Sequence, residues 1–382
     1  MSTTTYGPSL SVGNISVSNT YESCDLISQA ASLAPSTANA PVIQQWLQKT
    51  VSAVTSSGQA PFWSNAVTYS TTGSATGYIG SVLLPDGRVV LVPANATTVG
   101  IFTPATNTFT AGPSVGAAGT VYYSGGSLLP DGRVLLCPQN ATNIGFYNPV
   151  TNAFSSLAIT NTGELWRGCV VLPDGRILLV PSKATTVGFY NPATNTYSSV
   201  TPSPAPAGST AYMGGVLLPD GRVVFCPFSA TNIGIFNYLT NAFSTIAADA
   251  AYVGGVLTLN NKVVFVPFNT TNKIGVFDWT TNTYSTVAIT VVNNAFSAGV
   301  TMPDGRVLFV PAAATYFGIF NPVTNQFSTY TGPPGGYAFQ GGTLLPDGRV
   351  VLAPQNATTI GIIQGGPPVS GDFCLHPFFN KY

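Results

Sequence analysis

Short apolar runs, each closed by Gly, Pro, Asn or Asp, follow one another from about residue 60 to residue 364. One stretch shows the pattern. Residues 214–218 (Gly-Gly-Val-Leu-Leu) lead into the turn Pro219-Asp220-Gly221, and 222–227 (Arg-Val-Val-Phe-Cys-Pro) into the polar turn 229–232. A third run, Ile-Gly-Ile-Phe at 233–236, passes through Asn237 to Asn241 into Ala-Phe-Ser at 242–244. Apolar runs this short, bounded by turn residues, predict four strands in succession. Asp-Gly supplies the positive φ angles of a tight hairpin, with Asn next best. The proline that ends each second run (Pro93, Pro138, Pro181, Pro227, Pro267, Pro311, Pro354) donates no ladder hydrogen bond and marks a strand end.

The whole pattern repeats. Leu-Pro-Asp-Gly-Arg, with small changes before the proline, recurs with its acid at Asp86, Asp131, Asp174, Asp220, Asp304 and Asp347, and a degenerate copy places Asn260 in the same slot. Seven copies at intervals of 45, 43, 46, 40, 44 and 43 residues are the signature of propeller blades. Six turns are followed by a closing aromatic and Ser or Thr, at Phe109, Phe154, Tyr197, Phe243, Tyr284 and Phe327; after Asp347 there is none. Phe62-Trp63-Ser64 precedes the first turn, so the expectation is that a strand near Trp63 closes the last blade and latches the ring.

Outside the ring, residues 41–56 place Val42, Ile43, Trp46, Leu47, Val51 and Val54 on one helical stripe, with Gly58 beyond its end. The predicted organisation is an N-terminal extension over 1–58 (an extended arm plus one or two helices), the propeller over 59–364 and a tail over 365–382. The fold class is therefore all-β, seven-bladed, with a short helical N-terminal extension.

Charge changes the picture more than composition does. The chain carries 12 basic and 12 acidic residues in 382, and 13 of those 24 sit in the repeated hairpin. Such a balance excludes the basic patch that nucleic-acid binding needs. No apolar run reaches the length of a membrane span, and the start lacks the features of a secretory signal, so neither membrane insertion nor a compartment is indicated.

Leu-Pro-Asp-Gly-Arg-Val-Leu, an apolar strand, then Gly-Phe-Tyr-Asn-Pro-Val-Thr-Asn-Ala-Phe-Ser resembles the kelch repeat, in the variant of galactose-oxidase-like propellers. The likeness covers about residues 60 to 364, with Val-Pro, Cys-Pro or Ala-Pro where kelch units carry Gly-Gly. Tandem units of this wording also resemble propellers encoded by large DNA viruses. The first resemblance implies the fold. Its copper chemistry would need two histidine ligands, and this chain has one histidine, His376, in the tail. The acids outside the hairpins are Glu22, Asp25, Glu164, Asp249, Asp278 and Asp372, among which no distinctive catalytic pair stands out. The expectation is accordingly a non-enzyme with no catalytic residues, metal or cofactor. The function expected is structural or interactive, in a large assembly such as a virion or particle, with protein partners through residues 1–57.

Length variation falls almost entirely in the connectors from each outer strand to the next inner strand, so any binding face is expected there. The eighth residue before each turn Asp is aromatic (Tyr78, Tyr123, Trp166, Tyr212, Tyr252, Phe296, Phe339), and a small residue follows two later. Two readings stand: wedges between blades, or, with Arg167 beside Trp166, stacking platforms for a glycan. Asn-x-Ser/Thr at Asn95, Asn140, Asn269 and Asn356 shares one repeat position, which favours a turn role over glycosylation; Asn14 is a fifth such site. Cys137, Cys169 and Cys226 occupy apolar slots, while Cys24 and Cys374 lie in the extensions.

Overall fold

The computed structural model describes residues 10–12, 15–17 and 68–364, apart from 117–121, 160–164, 207–208, 270–271, 303 and 334. The helix expected over 41–56, Trp63, Glu164, Cys24 and the tail with Cys374 and His376 lie outside the described residues. Leu10–Val12 pairs antiparallel with Ile15–Val17. Everything else forms seven four-stranded antiparallel sheets, the blades of a propeller.

Blade 1 runs from an inner strand Tyr78–Leu83 through Val89–Pro93 and Thr98–Thr103 to an outer strand Thr108–Ser114. Blades 2 to 6 repeat it, with inner strands Tyr123–Leu128, Trp166–Val171, Tyr212–Leu217, Tyr252–Leu257 and Phe296–Thr301. Second strands are buried along their length, apart from half-buried Arg222 and Lys262 at the start of two of them, while outer strands are mostly exposed or half-buried. The core lies between blades. Val82, Val90, Val92 and Val99 of blade 1, for example, pack with Tyr123, Val134, Leu136 and Tyr147 of blade 2.

Blade 7 closes the ring. Its own strands Phe339–Leu344, Val350–Pro354 and Ile360–Gln364 are completed by Thr68–Thr72, which pairs antiparallel with the third strand, Ser70 opposite Ile362. A strand from before the first turn does close the blade, but its aromatic is Tyr69, set edge-on to Phe339 at 6.1 Å and 67°. Thr68-Tyr69-Ser70-Thr71 has the same wording as residues 283–286, and the 16 residues from Ser70 to Asp86 match the span from Ser244 to Asn260. The seam with blade 1 is packed like any other: Tyr78, Val89, Leu91 and Phe102 meet Leu345, Val351, Ala353 and Ile360.

The repeated Asp-Gly-Arg hairpin does two jobs. In blade 4 Asp220 Oδ1 accepts from the Arg222 backbone N–H at 3.0 Å, and Oδ2 takes Arg222 Nε at 2.8 Å and Nη2 at 2.6 Å. That fork fixes the guanidinium, which then donates to Trp279 O at 3.0 Å and Asn282 Oδ1 at 2.8 Å in blade 5. Arg88 reaches Pro149 O and Arg349 reaches Pro104 O in the same way, so the hairpin is a latch to the next blade as well as a turn. Blade 5, with Asn260 and Lys262, solves the problem differently. Asn260 Nδ2 itself donates to Pro322 O at 3.0 Å in blade 6, its Oδ1 accepts from Thr258, and Lys262 turns to Asp278 at 3.4 Å.

Candidate site at the axial channel

The seven inner-strand aromatics lie inside the sheets, each 3% exposed or less. The third strand explains why. Its glycine leaves a window into which the ring fits, and a Cβ there would approach the ring to 2.9 Å at Gly100 and Gly275 and 2.8 Å at Gly361. An outer-strand aromatic then closes over it edge-on: Phe109 over Tyr78 at 6.0 Å, Tyr197 over Trp166 at 5.7 Å, Phe327 over Phe296 at 6.1 Å. Phenol groups are absorbed locally, Tyr123 Oη donating to Asn143 Oδ1 at 2.5 Å and Tyr212 Oη to Asn232 Oδ1 at 2.6 Å. Burial pushes the Tyr212 hydroxyl up to about 12 and raises that of Tyr123 as well. Tyr78, Tyr123, Trp166, Tyr212, Tyr252, Phe296 and Phe339 therefore present no open ring face to a ligand. Of the expected face, Arg167 alone reaches the channel.

What faces the axis is the next residue along. In six blades the inner strand gains one residue against its partner between the aromatic and the strand centre, as between Tyr78 and Ser81, and the following glycine takes a positive φ (81° at Gly80, 91° at Gly125, 98° at Gly341). This bulge breaks the alternation and aims the intervening side chain inward. In blade 6, where Ala298 replaces the glycine, the register shift falls between Phe296 and Ala298. A Cβ at Gly125 or Gly254 would meet nothing within 4 Å, so backbone conformation rather than crowding explains the glycine there.

One residue per blade thus lines the channel: Ile79, Ser124, Arg167, Met213, Val253, Ser297 and Gln340, with the glycine backbones and Gln139, around a cavity of about 80 Å³. Every neighbouring position repeats; this one does not. Arg167 is the one charged side chain in the lining among the described residues, and its Nη1 stands 3.8 Å from Met213 Sδ. Ser124 Oγ is buried and makes no conventional hydrogen bond; it lies against the Cys137 thiol, which donates to Gly168 O at 3.1 Å. Ser297 donates to Phe339 O at 3.1 Å. Phe228 and Phe268 stand at the repeat position of Gln139, their rings 5.9 Å apart, in the same apolar cluster as Met213 and Val253. The lining is polar on blades 2, 3, 6 and 7 and apolar on blades 1, 4 and 5.

Among the described residues no three His, Cys, Asp or Glu side chains come together to hold a metal. Burial raises the Cys137 and Cys226 thiols, so both stay protonated and behave as small apolar groups. The channel residues were hidden from repeat analysis because they are what fails to repeat. Their signal was present all the same, as the variable column beside an invariant aromatic.

No family model matches the sequence, and neither does any curated protein. Solved structures do resemble it. A streptogramin B lyase superposes with a TM-score of 0.69 at 17% identity, over 81% of this chain and 100% of that one. Virginiamycin B lyase from Staphylococcus aureus gives 0.68 at 17% identity, over 78% and 99%. A catalytically inactive histidine-to-alanine variant of the Staphylococcus aureus enzyme with quinupristin gives 0.65, again at 17% identity over 78% and 99%. These confirm the seven-bladed fold, in propellers other than the kelch type. They also correct two expectations, that of a non-catalytic scaffold and that of no enzymatic activity. Both rested on residue supply over the whole chain, yet the solved structures that share this fold include enzymes, two lyases among them, so that argument does not hold. A propeller can assemble a site from one side chain per blade, so bulk composition is a poor guide to it.

Proposed function

We propose that the protein binds and transforms a small organic molecule at the connector-face mouth of its axial channel. The observation that carries this reading is the break in repetition. A position with a structural job keeps its residue from blade to blade, as the buried aromatic, the window glycine and the latch do. The axis-facing position instead holds an arginine, a glutamine, two serines, a methionine, a valine and an isoleucine. Concave sites that join an apolar wall to a few convergent polar groups are where small ligands bind. Arg167 brings the one charged side chain of the described lining to this mouth, where a guanidinium can meet negative charge that develops on a ligand.

The lyase neighbours make elimination the reaction class to examine first. The kelch-like wording of the repeat bears on the hairpin latch, which lies on the opposite face from this mouth. The test is to incubate the full chain with virginiamycin B and with quinupristin, following each by liquid chromatography and mass spectrometry, beside a thermal-shift screen of small organic acids, amides and esters. Arg167→Gln is the control, with an expected loss of about 100-fold in turnover. The proposal fails if no compound is consumed or bound, or if ligand binding ignores every substitution in the channel lining.

A further inference from the structure

One seam between blades differs from the others in its chemistry. The sixth residue after each turn Asp (or Asn260) lies on a second strand, the fifth before it lies on an inner strand, and the two columns meet across the seams. At five seams the second-strand residue is Val or Cys and the facing residue of the next blade is glycine. A Cβ on that glycine would come 3.0 Å from Val92 Cγ2 at Gly126, 2.8 Å from Val180 Cγ2 at Gly215 and 3.0 Å from Cys226 Sγ at Gly255. Gly299 and Gly342 stand in the same way to Val266 and Val310, at 3.0 Å each. Glycine is kept there because the facing side chain fills its space. Between blades 7 and 1 the pair is Ala353 and Ser81. Between blades 2 and 3 both columns hold cysteine, Cys137 facing Cys169.

The structure brings these two together. Cys137 Sγ donates to the carbonyl of Gly168, the residue before Cys169, at 3.1 Å, and its thiol is also hydrogen-bonded to that of Cys169. Both are free thiols in one apolar cluster with Leu135, Ile177 and Leu179. The spacing suits a disulfide. Across an S–S bond of about 2.05 Å each sulfur stands about 3 Å from its partner's Cβ. That is the distance this seam sets between the Cys226 sulfur and a Cβ at Gly255.

We propose that Cys137 and Cys169 are a dithiol that a small peroxide oxidises to a disulfide, stapling blade 2 to blade 3 beside the channel. Cys169 is 4% exposed and adjoins the channel-lining Gly168, so it is the sulfur the oxidant meets; Cys137 is fully enclosed. Cys169 attacks one peroxide oxygen, the O–O bond breaks, and a sulfenic acid and a water form. The Cys137 sulfur then displaces the hydroxyl group, the S–S bond forms and a second water leaves. Each sulfur gives up one electron to the peroxide, and both thiol hydrogens end in water. Enclosure makes the reaction slow.

The experiment uses the full chain with Cys24→Ser and Cys374→Ser, which leaves Cys137, Cys169 and Cys226. It is treated with hydrogen peroxide or with a reductant, unfolded under alkylation and mapped by mass spectrometry. A parallel arm refolds the reduced chain from urea in a glutathione redox buffer, where burial is no barrier. Expected results are a Cys137–Cys169 linked peptide in both arms, Cys226 alkylated throughout, and a Tm higher by about 5 °C in the linked protein, because the bond restricts the unfolded chain. Cys169→Ala should remove the link and the rise in Tm. Gly255→Cys, which sets a thiol against Cys226, should gain a second link of the same kind. Absence of the link in both arms overturns the proposal, as does a link from Cys226 to either thiol in equal yield. A link on refolding alone upholds the staple and overturns the peroxide route.

Discussion

Trp166 offers the sharpest separation of packing from ligand binding. The side chain is 1% exposed, lies over Gly188 and meets Tyr197 edge-on at 5.7 Å and 71°. Truncating a buried aromatic to alanine costs about 3–5 kcal/mol, including the share from its ring partner. At about 2–4 °C per kcal/mol for domains of 150–250 residues, and somewhat less for a larger ring, Trp166→Ala should lower Tm by roughly 5–15 °C. Trp166→Phe should behave otherwise. The indole Nε1 is buried without a hydrogen-bond partner, a defect worth about 1–3 kcal/mol that phenylalanine removes. The lost apolar area works against this by about 1 kcal/mol at 25 cal/mol per Å². The two effects leave Trp166→Phe within about 1 kcal/mol of the parent, consistent with Phe296 and Phe339 at the same position in blades 6 and 7. Urea unfolding followed by circular dichroism reads both variants without relying on tryptophan emission. If phenylalanine destabilises as much as alanine, or if alanine leaves stability intact and alters ligand binding, the window-and-clasp account of the aromatic ring is wrong.

Three further outcomes follow from the latch and the titrating groups. Arg222→Ala should lose about 1 kcal/mol, because its donors to Trp279 and Asn282 sit at a partly exposed edge, and Arg222→Lys should recover little since the fork is lost; the shift in urea midpoint decides. Restoring the repeat consensus with Asn260→Asp should destabilise blade 5, because the amide that donates to Pro322 O becomes a carboxylate facing a carbonyl while Lys262 stays with Asp278; pairing it with Lys262→Arg should restore stability. Stability should fall at both ends of the pH scale. The Arg88 hydrogen bond lowers the Asp86 carboxyl, and at Asp131 burial, which raises the carboxyl, is outweighed by the hydrogen bonds and charge of Arg133, so their contribution is present above the ordinary carboxylate pKa of about 4 and is lost as pH drops through the folded values. Burial raises Tyr69 and Tyr212 to about 12, so their contribution is full below about pH 10 and disappears as pH climbs from there towards 12; equilibrium unfolding across the pH range checks both signs.

The architecture was legible because each blade states its own turns. Asp-Gly, the terminal proline and the closing aromatic mark strand ends by local chemistry, and the period gives the blade number. The closing strand was legible in kind and misplaced in register. Phe62-Trp63-Ser64 and Tyr69-Ser70 both offer an aromatic before serine, and what selects Tyr69 is pairing with Ile363 and contact with Phe339, which are long-range. The site was hidden by a single backbone event. Strict alternation puts the aromatic and the glycine on one side of the inner strand; the bulge between them changes which side chain meets the axis, and nothing in the wording of Tyr78-Ile79-Gly80 announces it. Blade 5 carries the opposite lesson. Asn260 reads as decay of the motif, whereas its amide does across the interface what arginine does elsewhere.

The closure of blade 7 has a consequence for biosynthesis. Thr68–Thr72 leaves the ribosome before any other strand of the ring, and the segment it pairs with, Ile360–Gln364, emerges last. Until residues 360–364 have been made, the earliest strand has no mate and the terminal sheet does not exist. A product interrupted anywhere before residue 360 would keep an unzipped seam between its first and last sheets, an adhesive margin that chaperones or proteases would meet first.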